Sequence, residues 1–112
     1  MRDDRARLRD ILEAIDKIEQ RATAGKEQFL ADELLQVWMV HHIQIIGEAA
    51  SRLSPILRES ASSVPWDDVI AMRNVLVHQY FGIDLEEVWS TLTSELPNLK
   101  EVIADLLKKP TE

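Results

Sequence analysis

Within eight residues, Arg73-Asn74-Val75-Leu76-Val77-His78-Gln79-Tyr80, the chain places a permanent cation, a group that titrates near neutrality and a phenol. Arginine with histidine, without carboxylates or metal, suits cleavage of RNA by its own neighbouring 2'-hydroxyl. The imidazole can take or give the proton, and the planar guanidinium can stabilise the extra negative charge on a phosphorane-like transition state. On a continuous helix, at about 100° per residue, positions 73 and 80 lie about 20° apart around the axis and positions 74 and 78 about 40° apart. Positions 73 and 78 are about 140° apart. One straight helix does not easily aim both groups at one phosphate, so either it unwinds near His78 or a second subunit completes the site.

Glu48 is the other charged candidate, because it sits in an otherwise apolar stretch where a carboxylate needs a partner. It reads either as an ion pair with Arg52, four residues on, or as a group that orients Arg73. Asn74 follows the arginine directly and is a supporting polar group. Taken alone, Arg73 would read as an ion-paired surface residue, His78 as a helix-end histidine and Tyr80 as an amphipathic residue with its hydroxyl in water. His41 and His42 are adjacent, so they point to different sides of a helix and read as packing or interface residues. Neither His-Glu-x-x-His nor Glu-x-x-His nor an acidic calcium loop occurs, so no metal and no cofactor is expected. Trp38, Trp66 and Trp89 are spaced along helical stretches and read as core rather than as base-stacking platforms.

The elements that must position these groups are all helical. A first helix, about residues 2–24, has Leu8, Ile11, Leu12, Ile15 and Ile18 at three- and four-residue spacing and stops at Gly25. A second, about 27–53, is apolar on most sides, which predicts burial against its own bundle and against a second copy of the chain. Ser54-Pro55 interrupts it, and a serine-rich loop, with a short helical turn at 56–59, leads to Pro65. The next helix starts at Trp66, carries the Arg73–Tyr80 segment and stops at Gly82. Asp84 caps a last helical region that Pro97 should kink or restart. No stretch alternates with period two, so the expectation is an all-α, four- or five-helix up-and-down bundle that dimerises through its helices.

The 112 residues make a single domain, 1–112. No apolar run reaches the ~20 residues of a membrane span, no leader peptide is evident at the amino terminus, and cysteine is absent, all of which agree with a cytoplasmic protein off the membrane. A net charge of -7 argues against a surface that is basic all round but leaves room for a local basic cleft. Arg2, Arg5, Arg7, Arg9, Arg52, Arg58 and Arg73 are enough arginines to make one.

The string RNVLVHQY resembles the Arg-x4-His-x-Tyr signature of HepT-like proteins in the HEPN superfamily, including the polar residue, Asn74, after the arginine. The flanks IIGEAASRLS, VPWDDVIAMRN and YFGIDLEEVWSTLTSELPNL are similar to that family as well, so the likeness covers most of the chain after about Val37. The resemblance implies a helical bundle that forms a homodimer, a metal-independent RNA endonuclease site built from Arg73 and His78 of both protomers, and a toxin role. It also implies a partner, a minimal nucleotidyltransferase antitoxin that transfers AMP to Tyr80, the only tyrosine of the chain. Two other readings stand beside it: a non-catalytic domain that binds a nucleotide, RNA or partner protein, and a structural helical adaptor.

Overall fold

In a computed structural model, which describes residues 3–78 and 84–109 apart from the side chains of 72 and 74–78, every regular element is helical. The order is α1 (Asp4–Ala22), α2 (Lys26–Ala31), α3 (Glu33–Ser51), α4 (Pro55–Ser60), α5 (Trp66–His78), α6 (Leu85–Ser90), a π-helical turn (Thr91–Glu95) and α7 (Leu96–Lys108). Helices α1, α3, α5 and the α6–α7 rod are the long elements, and α2 and α4 are short connectors. The expected all-α bundle is therefore the fold. Of the positions named from sequence, Arg2, Tyr80 and Gly82 lie outside the described residues, as do the side chains of Asn74 and His78.

Local chemistry sets each boundary. Asp3 caps α1 by accepting the Ala6 N–H at 2.8 Å. Gly25 takes φ 92°, a conformation that suits a residue without Cβ, and its N–H closes on the Ala22 carbonyl as the chain leaves α1. The single second helix expected over 27–53 is in fact divided at Asp32, whose extended backbone separates α2 from α3. Asp32 accepts the Leu35 N–H and so starts α3. The Gln36 amide reaches back to the Phe29 and Leu30 carbonyls and satisfies the end of α2.

Ser54 caps α4 through the Leu57 N–H, with Pro55 in the first turn. Its own N–H and hydroxyl are held by the Asp4 carboxylate at 2.9 and 2.6 Å, which ties the end of α3 to the start of α1. Asp84 caps α6 as expected. Pro97 has no N–H to give and its ring would crowd the carbonyl four residues back, and the helix accommodates it by widening to a π turn just upstream.

The core lies between α1, α3 and α7, where Leu8, Ile11, Ile15, Ile18, Met39, Ile43, Ile46, Leu96 and Ile103 are fully buried. Phe29 of α2 meets Trp89 of α6 with ring centroids 5.4 Å apart. Trp66 is buried and donates to the Ala61 carbonyl, while Trp38 and Trp89 pack on the core from its edge, so the tryptophans serve packing. Polar ties fix α7 along α1: Lys100 bonds Glu19 at 2.6 Å, and Arg5 donates to the Leu107 and Lys109 carbonyls at the α7 terminus. Among the described residues, no helix is long and apolar enough to cross a membrane.

Candidate active site

The site forms where α5 lies against the carboxyl-terminal half of α3. Helix α3 is buried over this half through Ile43, Ile46, Gly47, Ala49 and Ala50, three of which are small. Gly47 is the tightest point. A Cβ built on it would come within 2.9 Å of the Arg73 Cβ, 3.0 Å of the Arg73 nitrogen and 3.2 Å of the Val69 carbonyl. Two of those three atoms belong to the α5 backbone, which cannot swing aside as the end of a side chain can. The hydrogen at position 47 is what lets the α5 backbone sit down at Arg73.

Once seated, Arg73 is held from two sides. Its Nη1 donates to Glu48 Oε2 at 2.8 Å and to Ser51 Oγ at 2.8 Å. The Ser51 hydroxyl in turn donates to the Glu48 carbonyl at 2.6 Å, so its lone pairs face Arg73. The other oxygen of Glu48 accepts from Arg52 Nε at 2.9 Å. One carboxylate thus holds two guanidinium groups, and the cluster keeps one positive charge in excess on a chain of net charge -7. Arg73 retains Nε and Nη2, and Arg52 retains both Nη groups, with no hydrogen-bond partner among the described residues. The side chains are 33% (Arg73), 48% (Glu48) and 56% (Arg52) exposed, so the cluster is open to solvent.

The alternatives for Glu48 are resolved by this arrangement as both together, since it pairs with Arg52 and orients Arg73 at once. Its carboxyl is held below the usual value of 4.5, first by the Arg52 hydrogen bond, which desolvation opposes, and then by the Arg73 hydrogen bond and the charges of both arginines. The backbone of α5 stays helical through His78, so positions 73 and 78 occupy one continuous helix. His41 is exposed; His42 is buried beside Trp38, with Nδ1 2.8 Å from the Trp38 carbonyl, which makes it a packing residue. Arg5 is spent on the end of α7, whereas Arg52 and Arg73 meet at this site.

Sequence reasoning named Glu48, Arg52 and Arg73 but missed Gly47 and Ser51. The usable signal was the run Gly47-Glu48-x-x-Ser51-Arg52, in which the carboxylate precedes the serine by three residues and the arginine by four, so that all share one helix face.

An all-α bundle with an arginine pinned on α5, followed by x4-His-x-Tyr, defines a narrow class of small helical proteins. A family model described as Ribonuclease HepT-like matches residues 11–106, and the chain belongs to that family. It is 37% identical over 83 residues, 74% of each chain, to a protein of Caldanaerobacter subterraneus named provisionally as an RNase. It is 34% identical over 102 residues, 90% of this chain and 93% of the relative, to a Thermococcus cleftensis protein named "Probable ribonuclease HepT". A Methanocaldococcus jannaschii protein, again named provisionally as an RNase, is 34% identical over 103 residues, 91% of this chain and 94% of the relative. No solved structure gives a significant match.

Two consequences can be measured. Gly47→Ala gains about 1 kcal/mol of helix propensity but must push α5 off α3, at a cost of about 1–3 kcal/mol for overpacking. Urea unfolding should therefore show a net loss of stability despite the better helix former, and an RNase assay should show a loss of activity larger than the loss of folded protein. The second concerns pH. A carboxylate whose pKa is depressed on folding contributes stability that is complete above 4.5 and disappears as pH falls through its lower, folded value. Glu48→Gln should destabilise the protein by no more than about 1 kcal/mol at neutral pH, since the pair is half exposed. The gap from wild type should close in acid below the carboxylate range.

Proposed function

We propose that this chain is a metal-independent RNA endonuclease acting as a homodimer, and that it is the toxin of a toxin–antitoxin pair in the cytoplasm. The observation that carries the reading is the held guanidinium of Arg73: one nitrogen is fixed by Glu48 and Ser51, and the other N–H donors have no partner among the described residues. Family membership supports RNA as the substrate.

In the proposed reaction an imidazole of His78 takes the proton of a ribose 2'-hydroxyl as that oxygen bonds to the adjacent phosphorus. The bond from phosphorus to the 5'-oxygen breaks, and the leaving oxygen takes a proton from the same His78, which the first transfer has left charged. The products are a 2',3'-cyclic phosphate and a 5'-hydroxyl. Arg73 stabilises the charge that builds on the phosphoryl oxygens, with Glu48 and Asn74 as supporting groups. Because the α5 backbone is helical across positions 73–78, those positions lie about 140° apart around the axis. The site is accordingly shared, with the arginine of one protomer and the histidine of its partner on one phosphodiester.

The exposed face of α3 supports such a pairing. Leu34 and Val37 are 83% and 51% exposed, unusual for aliphatic residues on a helix otherwise sunk in the core. With His41, Gln44, Glu48 and Ser51 they form a stripe of alternating three- and four-residue steps, the spacing of a helix-to-helix seam, and that stripe ends at the Arg73 site. A second copy laid on this face would cover Leu34 and Val37 and border the Arg73 site.

Regulation in this reading falls on Tyr80. Its hydroxyl would attack the α-phosphorus of a nucleoside triphosphate held by a minimal nucleotidyltransferase antitoxin, and pyrophosphate would leave. The added AMP puts bulk and negative charge beside the cleft that must admit RNA.

Purified protein in excess chelator should cut single-stranded RNA and leave cyclic-phosphate ends. His78→Ala should abolish cutting while helical content by circular dichroism stays unchanged, and Arg73→Lys should lose at least about a hundredfold because an ammonium lacks the fork. Retained RNA binding without cleavage by the wild-type protein would favour the non-catalytic binding domain instead.

A further inference from the structure

We infer that Arg52 forms a second phosphate subsite, which binds the RNA backbone next to the phosphodiester at Arg73. The inference rests on the nuclease reading for the identity of its ligand, but its geometry stands on other contacts.

Glu48 holds Arg52 by Nε alone, at 2.9 Å, and this side-on grip fixes the plane of the guanidinium while leaving its two-pronged Nη end unpaired among the described residues. An arginine whose sole task was to neutralise Glu48 would do so best through the parallel two-bond geometry that guanidinium and carboxylate share, and Arg52 does not adopt it. Its backbone is fixed as well, because its N–H closes the end of α3 on the Ala49 and Ala50 carbonyls. The result is a rotationally restricted fork, on a rigid helix end, just over half exposed.

Position adds to orientation. Arg52 and Arg73 bond opposite oxygens of one carboxylate, so the two forks are only a carboxylate's width from each other's anchor points. Consecutive phosphates of a ribonucleotide chain can therefore meet the two groups in turn. Glu48 neutralises one of the two cations and leaves the pair attractive to a polyanion, on a chain too acidic elsewhere to hold RNA by general charge. Arg73 acts at the reacting phosphate; Arg52 sets the register of the strand beside it.

The experiment measures binding of a single-stranded 2'-O-methyl oligoribonucleotide, which the proposed chemistry cannot cut, across a series of salt concentrations. Arg52→Gln should weaken binding about tenfold and reduce the slope of log K against log salt by about 0.7, the value of one lost phosphate contact. Arg52→Lys should restore the slope, and Glu48→Gln, which keeps both cations, should leave it at least as steep as wild type. If Arg52 only steadied Glu48, Glu48→Gln would reproduce the loss seen in Arg52→Gln, and that result overturns the subsite. An unchanged slope in Arg52→Gln, in a protein that cuts ordinary RNA, overturns it too. Should the wild-type protein bind the probe with an Arg52-dependent slope yet leave ordinary RNA uncut, the nuclease reading fails and the subsite stands.

Discussion

Residue 47 carries no side chain, and the rest of the site depends on that. With less than 3 Å between a Cβ at this position and that of Arg73, α3 and α5 are in near backbone contact. Only at this separation can a short serine hydroxyl and a glutamate on α3 both reach one nitrogen of an α5 arginine. The site is therefore a property of helix spacing first and of charge second. It also explains why a helix as apolar as α3 has Gly, Glu, Ser and Arg gathered at one end.

The charge arrangement built on that contact is economical. A single carboxylate would neutralise a single arginine and leave nothing for a phosphate to find. Two arginines sharing Glu48 keep a positive excess while each is held in a defined orientation. In a chain whose net charge is -7, this leaves a local excess of positive charge at the α3–α5 seam. Ser51 contributes a neutral acceptor, which steadies Arg73 without cancelling its charge.

The fold was legible in the sequence because three- and four-residue apolar spacing persists from Leu8 to Leu107 and the breaks carry strong chemistry: Gly25, Ser54-Pro55, Asp84 and Pro97. The division at Asp32 was not, since neither glycine nor proline marks it. It arises from an aspartate cap working with a glutamine that reaches back seven residues to Phe29, a pairing visible only once the chain has turned. The π turn before Pro97 was anticipated as a kink but not in kind. For the site, Arg73 and Glu48 could be named because each is chemically out of place in its stretch. Ser51 is marked only by its three-residue spacing from Glu48, a weak signal for a serine in a helix, and Gly47 only by its place beside them, since its role depends on what lies opposite. The pairing of Glu48 with both arginines also needed coordinates: periodicity relates Glu48 to Arg52 on α3 but says nothing of which α5 residue crosses at that height.

The central claim is that one phosphodiester is worked by an arginine and a histidine from different protomers. It is tested most directly by mixing two inactive proteins, Arg73→Ala and His78→Ala, under conditions that let subunits exchange, and following RNA cleavage. A shared site gives the mixed dimer one intact Arg73–His78 pair, so activity should return, approaching half that of a wild-type dimer per mixed dimer formed. A mixture that forms mixed dimers and stays inactive, while a wild-type subunit paired with a doubly substituted one is active, would place both groups in the same protomer and contradict the account.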